Sequence, residues 1–387
     1  MQRKSFVIIS ILTFLFSVTY VRADFLDIRI FSEYSVDTLT IETQVGKYGV
    51  YADGKQIANL YKGNTVNVAI NTKSNKVVVY EQGKRIGQYN QLLVKGESLL
   101  NVLTVNTHLS LVTPRTYDDD LKISVDNATK KLFLLNNVEL EKYVAGVVQS
   151  EIFGSSKDIE FFKVQSVIAR TYVLTNLMKH QKENFNVCDG VHCQAYRGRC
   201  TDDGITRATF ETFRDVVVDR EGRMISAAYH SNSGGQTVAS EDVWRLETSY
   251  LKSVKDTFSI GAKNYEWTTQ IPKEDWIKYF TSRYPEYFIS RENIKNVLLF
   301  EQQQRKRYIY KDIPLKDVRI AFNLRSTFFS VREEGDFVVL RGRGYGHGVG
   351  LSQEGAIEMV KRGYKLKDII PFYYKGCKVV KYTEVVH

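Results

Sequence analysis

From residue 24 to about residue 132 the chain alternates apolar and polar positions over short runs separated by turn residues. Successive side chains of an extended strand point to opposite faces, so this two-residue period predicts short, half-buried strands. Two runs are alike: VYADGKQI at 50–57 and VYEQGKRI at 79–86 both read V-Y-x-x-G-K-x-I. Each is centred on a turn pair, Asp53-Gly54 or Gln82-Gly83, where a tight hairpin needs glycine at positive φ. The expectation is an N-terminal β-rich module, residues 24–114, with two similar hairpins, packing against the remainder or recognising a ligand.

The period then changes. NNVELEKYVAGVVQSEIFGSS (136–156) places Val138, Leu140, Val144 and Val147/Val148 at near-helical spacing. Ser155 and Ser156 are candidate caps for a long helix reaching about His180, with Asp158 in its first turn. Lys163, Ser166 and Arg170 form a polar stripe on that otherwise apolar helix, which is read as lining a cleft. Strand-like DVVVD and SAAYHS follow, then a Gly234-Gly235 turn and an aromatic-rich stretch from 257 to 335. DFVVLRGRGYGHGVG reads as a strand. SQEGAIEMVKRG reads as a helix, with Ser352 as N-cap and Gly363 as its stop. Strands and helices mix without regular βαβ alternation, which predicts an α+β fold around a substrate cleft.

Composition alters this picture in two places. Residues 1–23, MQRKSFVIISILTFLFSVTYVRA, carry Arg3 and Lys4 ahead of an uncharged, mostly apolar run, and Val21-Arg22-Ala23 suits cleavage. A signal peptide is expected, hence export to the cell envelope (periplasm or cell-wall space). The run is short for a membrane anchor and no other stretch is apolar enough, so no stable transmembrane anchor is expected. Losing Arg3, Lys4 and Arg22 lowers the formal charge from +10 to +7. A basic exported chain suits an anionic surface, and without a binding motif nucleic acid is excluded as a partner. The second place is the cysteine distribution: Cys188, Cys193 and Cys200 cluster, with Cys377 apart, which is not a spread disulfide framework.

Three segments carry candidate chemistry. GRGYGHGVGLSQEGA (342–356) has glycine at every second position from Gly342 to Gly350. A dinucleotide fingerprint needs G-x-G-x-x-G and a Walker loop needs Gly-Lys-Ser/Thr, so both phosphate readings are excluded. In a strand this period leaves one face bare, with Arg343, Tyr345, His347 and Val349 on the other. Such a face admits a polymer or another backbone, and geometry alone does not choose. Glu151 lies among Val147, Val148, Ile152 and Phe153, where desolvation would raise its pKa as a general acid requires; an exposed junction glutamate is the other reading. His180, Cys188, His192 and Cys193 supply the two nitrogens and two sulfurs preferred by tetrahedral structural zinc. A Cys188–Cys193 disulfide competes with that reading.

Taken in order, VELEKYVAGVVQSEI, KVQSVIARTY, VCDGVHCQAY, AAYHSNSGGQTVASEDVW, YLKSV, LRSTFFSV and GRGYGHGVGLSQEGA resemble the SpoIID/LytB family of bacterial cell-wall proteins. The resemblance implies that residues 115–387 form a catalytic domain. Members include lytic transglycosylases that cut peptidoglycan glycan strands stripped of stem peptides, and relatives known as amidase enhancers. It implies Glu151 as the catalytic glutamate and His180, Cys188, His192 and Cys193 as zinc ligands. The usual Glu-Met-Pro is replaced by Glu151-Ile152-Phe153. A transglycosylase uses one carboxylate as acid and then base, so no second catalytic carboxylate is needed. Arg170, Ser231, Ser233, His347 and Gln353 are expected to bind sugar hydroxyls and acetamido groups. The expected partners are peptidoglycan glycan strands and a cell-wall amidase. A non-catalytic amidase enhancer is the alternative function; a zinc hydrolase is disfavoured because four protein ligands leave no open position.

Overall fold

The alternating pattern becomes twelve strands before the first helix: β1 Phe25–Arg29, β2 Thr38–Val45, β3 Tyr48–Ala52, β4 Lys55–Leu60, β5 Thr65–Asn71, β6 Lys76–Glu81, β7 Lys84–Tyr89, β8 Gln91–Gly96, β9 Val102–Asn106, β10 Arg115–Asp118, β11 Asp120–Val125 and β12 Leu132–Glu139. The computed structural model describes residues 25–386 except Phe153 and Arg245. The expected signal segment, 1–23, lies outside the described residues. Burial follows the period: Leu39, Ile41 and Thr43 of β2 face inward while the residues between them are partly exposed. The two similar runs fold as hairpins β3–β4 and β6–β7. Asp53, Gly54, Gln82 and Gly83 all have positive φ, as a two-residue turn matched to strand twist requires.

With β13, Val187–Cys188, these strands make two sheets, ordered β13-β1-β12-β11-β8-β3-β4 and β10-β9-β2-β5-β6-β7. Each repeat hairpin ends one sheet, β4 in the first and β7 in the second. Ile28, Ile41, Val50, Val66, Val94, Val105 and Leu121 are buried in the shared core. Strands from both sides of residue 114 pair in both sheets, through β8 with β11 and β9 with β10.

Three helices complete this body: α1 Leu140–Ile152, α2 Ile159–Thr175 and α3 Asp203–Glu211. The N-cap of α2 is Asp158, accepting from Glu160 N–H, rather than Ser155 or Ser156. The stripe read as lining a cleft is covered by α3. Lys163 pairs with Glu211 at 2.7 Å, Ser166 Oγ lies 3.0 Å from Thr209 Oγ1, and Arg170 is wholly buried against Glu141 of α1.

Beyond α3 come β14 Asp215–Val218, β15 Tyr229–His230 and α4 Ser240–Trp244. The aromatic-rich stretch builds a second core from β16 Glu266–Pro272, α5 Lys273–Arg283, α6 Arg291–Leu298, β17 Tyr308–Tyr310, β18 Ile313–Pro314, α7 Leu315–Ala321, β19 Phe329–Glu334 and β20 Phe337–Arg343. Trp276 and Phe280 of α5 pack edge to face at its centre, against the three-stranded sheet β16-β20-β19. The chain then returns to the main body through β21 Leu351–Ser352, α8 Gln353–Lys361, α9 Leu366–Tyr373 and β22 Lys378–Lys381. Strand β21 runs parallel to β15, and β22 pairs with β14. The architecture is α+β, as expected. Among the described residues no helix is long and apolar enough to cross a membrane.

Candidate functional site

Glu151 sits in the last turn of α1, half-buried. Its Oε1 accepts two hydrogen bonds, from Ala195 N–H at 2.8 Å and from the Tyr229 hydroxyl at 3.1 Å. That hydroxyl accepts in turn from Gln194 Nε2 at 3.1 Å, and Gln194 Oε1 accepts from the Tyr143 hydroxyl at 3.3 Å. Because Tyr229 oxygen accepts from Gln194, its own hydrogen is committed to Glu151. Desolvation raises the Glu151 pKa above the ordinary carboxylate value, opposed by the Ala195 amide, the Tyr229 hydroxyl and the charge of Arg197. A carboxyl that is hard to ionise but has prepared donors can exist in both protonation states, which acid/base chemistry requires.

The loop supplying Ala195 and Gln194 springs from the His/Cys cluster. The ligand atoms of His180, Cys188, His192 and Cys193 lie within 4.8 Å of one another, and both cysteines are free thiols. His180 Nε2 is 3.5 Å from Cys193 Sγ, and His192 Nδ1 is 3.8 and 3.7 Å from the two sulfurs. His180 Nδ1 is held by Glu183 Oε1 at 2.7 Å, which leaves Nε2 facing the cluster; metal-ligating histidines are commonly oriented this way. A hydrogen bond from Cys188 lowers the Cys193 thiol to about 6, against burial. Two thiols and two imidazoles converging on one point fit a tetrahedral metal. The same loop is anchored by Asp189, which accepts from Phe31 and Ser32 N–H and pairs with Arg115 at 2.9 Å.

The glycine stretch does not continue as a strand. Strand β20 stops at Arg343, and Gly344, Gly346, Gly348 and Gly350 all take positive φ, from 72° to 112°. The two-residue period therefore encodes repeated left-handed turns, open to glycine at little cost. The close approach it permits is to another backbone: a Cβ on Gly344 would meet the Asn232 carbonyl at 2.7 Å, and one on Gly350 would strike the Ala228 carbonyl. The stretch is the seam between the two cores, with Tyr345 bridged to Asn232 and Val238 N–H bonded to Gly348 O at 2.8 Å.

His347 rises from this seam, partly exposed, its ring 5.3 Å from that of Trp244 and 5.6 Å from that of His230. Its Nδ1 accepts from Val349 N–H at 3.1 Å. Desolvation, with Arg319, pushes its pKa down to about 4, so the imidazole is neutral at ordinary pH. A backbone hydrogen bond joins His347 to Tyr229, the residue whose hydroxyl holds Glu151.

The remaining expected sugar-binding residues divide. Arg170 cannot reach a ligand. It is fully buried, with Nε 3.0 Å from Glu141 Oε1 and Nη1 3.0 Å from the Asp215 carbonyl. Ser233 is likewise buried, bonded to Asp256 and Ser259 at 2.8 Å each. Ser231 and Gln353 stay partly exposed, each with one side-chain contact, to Asn264 at 3.2 Å and Gln165 at 3.4 Å. Sequence reading missed Tyr143, Gln194 and Tyr229. All three lie inside motifs quoted above, but nothing in their spacing says that they converge on Glu151.

Residues 128–220, which contain Glu151 and all four residues of the His/Cys cluster, match the family described as SpoIID: Stage II sporulation protein. The chain carries a SpoIID-family segment. Stage II sporulation protein D of Bacillus amyloliquefaciens is 28% identical to it over 274 residues, covering 63% of this chain and 75% of that one. The same-named protein of Bacillus subtilis (strain 168) is 27% identical over 273 residues with the same coverage. The amidase enhancer of Bacillus subtilis (strain 168) is 25% identical over 369 residues, covering 76% of this chain but 50% of the relative. The SpoIID-family segment ends just after β14, so Tyr229 and the glycine seam lie beyond it.

Proposed function

We propose that this SpoIID-family protein is an exported cell-wall enzyme that cleaves stem-peptide-free peptidoglycan glycan strands as a lytic transglycosylase. The observation that carries this reading is Glu151, a carboxyl of raised pKa whose ionised form already has two donors. Protonated Glu151 gives its proton to the glycosidic oxygen as the bond to the muramic acid C1 breaks. The carboxylate so formed, stabilised by Ala195 N–H and Tyr229, takes the proton of the same sugar's C6 hydroxyl. That oxygen bonds to C1, closing a 1,6-anhydro ring and returning Glu151 to its starting state. His347, Ser231 and Gln353 bind sugar polar groups in this reading. A structural zinc on His180, Cys188, His192 and Cys193 would brace the loop that carries Gln194 and Ala195.

A second reading, a non-catalytic partner that binds peptidoglycan and activates an amidase, is favoured by the similarity to the amidase enhancer. Incubating the protein and its Glu151→Gln variant with stem-peptide-free strands separates the two. Anhydro-ended fragments, detected by mass spectrometry, are expected from the unsubstituted protein alone. If both proteins bind such strands and neither cuts them, the enzyme reading falls and the activator reading stands.

A further inference from the structure

A large concavity lies away from Glu151, on the outer face of the seven-stranded sheet. It is an open trough of about 1140 Å³ crossing five adjacent strands, closed at one end by Lys182, Glu183 and Asn184. The pairing register specifies its floor. Arg29 of β1 lies opposite Leu135 of β12, Leu135 opposite Lys122 of β11, Lys122 opposite Leu93 of β8, and Leu93 opposite Tyr51 of β3. Directly opposed residues share a face, so these five form one straight row across the sheet. Cations and apolar side chains alternate along it, and the two cations stand two strands apart, about 10 Å.

The charges of the trough are unevenly matched. Its acids already have partners: Asp53 accepts from Asn90 and Gln91 N–H, Asp126 from Ala128 N–H, and Glu183 holds His180. Lys122 is taken up by Asp27 at 2.7 Å, whereas among the described residues Lys95 and Lys182 have no ion pair. Arg29 stands out further. Its guanidinium lies 4.0 Å from the centre of the Phe133 ring, its side chain is only 18% exposed, and its nearest carboxylate oxygen, on Asp126, is 3.9 Å away. No hydrogen bond to that guanidinium is made by any described residue. A partly desolvated planar fork, held flat on a ring with its donors unused, matches an incoming carboxylate.

We propose that this trough is a second, non-catalytic binding site for a carboxylated glycan, a run of sugars with a carboxylate on alternate rings. The inference rests on the proposed function for its polymer. Once stem peptides are removed, each muramic acid exposes the lactyl carboxylate that had been an amide. Arg29 receives one carboxylate, Lys95 and Lys182 supply the field for its neighbours, and Leu93, Leu135 and Tyr51 receive sugar faces. The site recognises the lactyl carboxylate that a stem peptide would mask as an amide, and holds a long strand while Glu151 acts elsewhere along it.

The test uses the full chain carrying Glu151→Gln, so that binding is read without turnover. Calorimetry compares glycan oligomers bearing free lactyl carboxylates with chitin oligomers of equal length, which lack the lactyl group. Adding Arg29→Gln is expected to weaken carboxylated-glycan binding roughly tenfold, and adding Lys95→Gln roughly threefold, with weak chitin binding unchanged in both. The parent interaction should also weaken with salt. Lys95 is exposed, so its variant keeps the test valid if Arg29→Gln unfolds. The proposal is overturned if both variants bind like the parent, or if chitin binds as tightly as the carboxylated strand. An acidic peptide that binds more tightly than the glycan in an Arg29-dependent way also overturns it, as does self-association lost in Arg29→Gln. Failure here leaves cleavage by the unsubstituted protein intact, whereas absence of cleavage with Arg29-dependent binding removes only the enzyme reading.

Discussion

Tyr229 sets how readily Glu151 lets go of its proton. Its hydroxyl donates to the carboxylate, which favours the ionised form and offsets part of the desolvation. In the proposed mechanism cleavage begins with protonated Glu151, so activity should fall as pH rises through its pKa. Tyr229→Phe removes a donor, raises that pKa, and should move the alkaline limb of kcat/KM upward by roughly one pH unit. A limb that stays put or moves down would show that the hydroxyl does not tune the acid. Arg170 makes the opposite case, a charged residue whose role is structural. Arg170→Met leaves Glu141, only 3% exposed, as a buried charge without its partner, costing about 3–5 kcal/mol in urea unfolding. Adding Glu141→Gln should restore part of that loss, which removal of a sugar contact would not explain. Glu151 was legible because its apolar neighbours could be read directly from the chain. The fate of Arg170 was not, because the stripe Lys163, Ser166, Arg170 looks the same whether solvent, a ligand or helix α3 covers it.

At the scale of elements, the loop between Cys188 and Arg197 joins the His/Cys cluster to the Glu151 contacts. Purified protein should contain about one zinc per chain, and its removal by chelator should lower the thermal midpoint and open this loop to limited proteolysis. Metal-free protein that shows neither change on chelation would reject the site. The four cluster residues could be nominated from donor chemistry, with a Cys188–Cys193 disulfide as the competing reading; the structure keeps both thiols free. The glycine run was legible as something other than a phosphate loop, but its shape was not. A two-residue period suits a strand, and only the facing segment 228–238 shows that the glycines serve left-handed turns instead. Gly350→Ala should therefore destabilise by about 1–3 kcal/mol in thermal melts, through both φ and the collision with the Ala228 carbonyl. Gly363→Ala, also at positive φ but facing open space, should cost less.

The whole molecule is organised by two sheets that share a core and by a second core joined to them through the glycine seam. Alternation and turn chemistry gave the strands and both hairpins, because those are local properties. They could not give the partners. The division expected at residue 114 passes through both sheets, since pairing such as β8 with β11 is written at neither position alone. Strand β1 carries this furthest. It lies between β12 and β13, and its Leu26 and Arg29 find their partners in Val138 and Cys188. Order of appearance and order of assembly are thus reversed at this point. A chain delivered N-terminus first must keep both edges of β1 open until β12 has arrived, and its second edge open until residues 187–188 follow. The first sheet cannot close before the loop that supports Glu151 is present, so a truncated product would stay vulnerable to proteases and would lack a formed site.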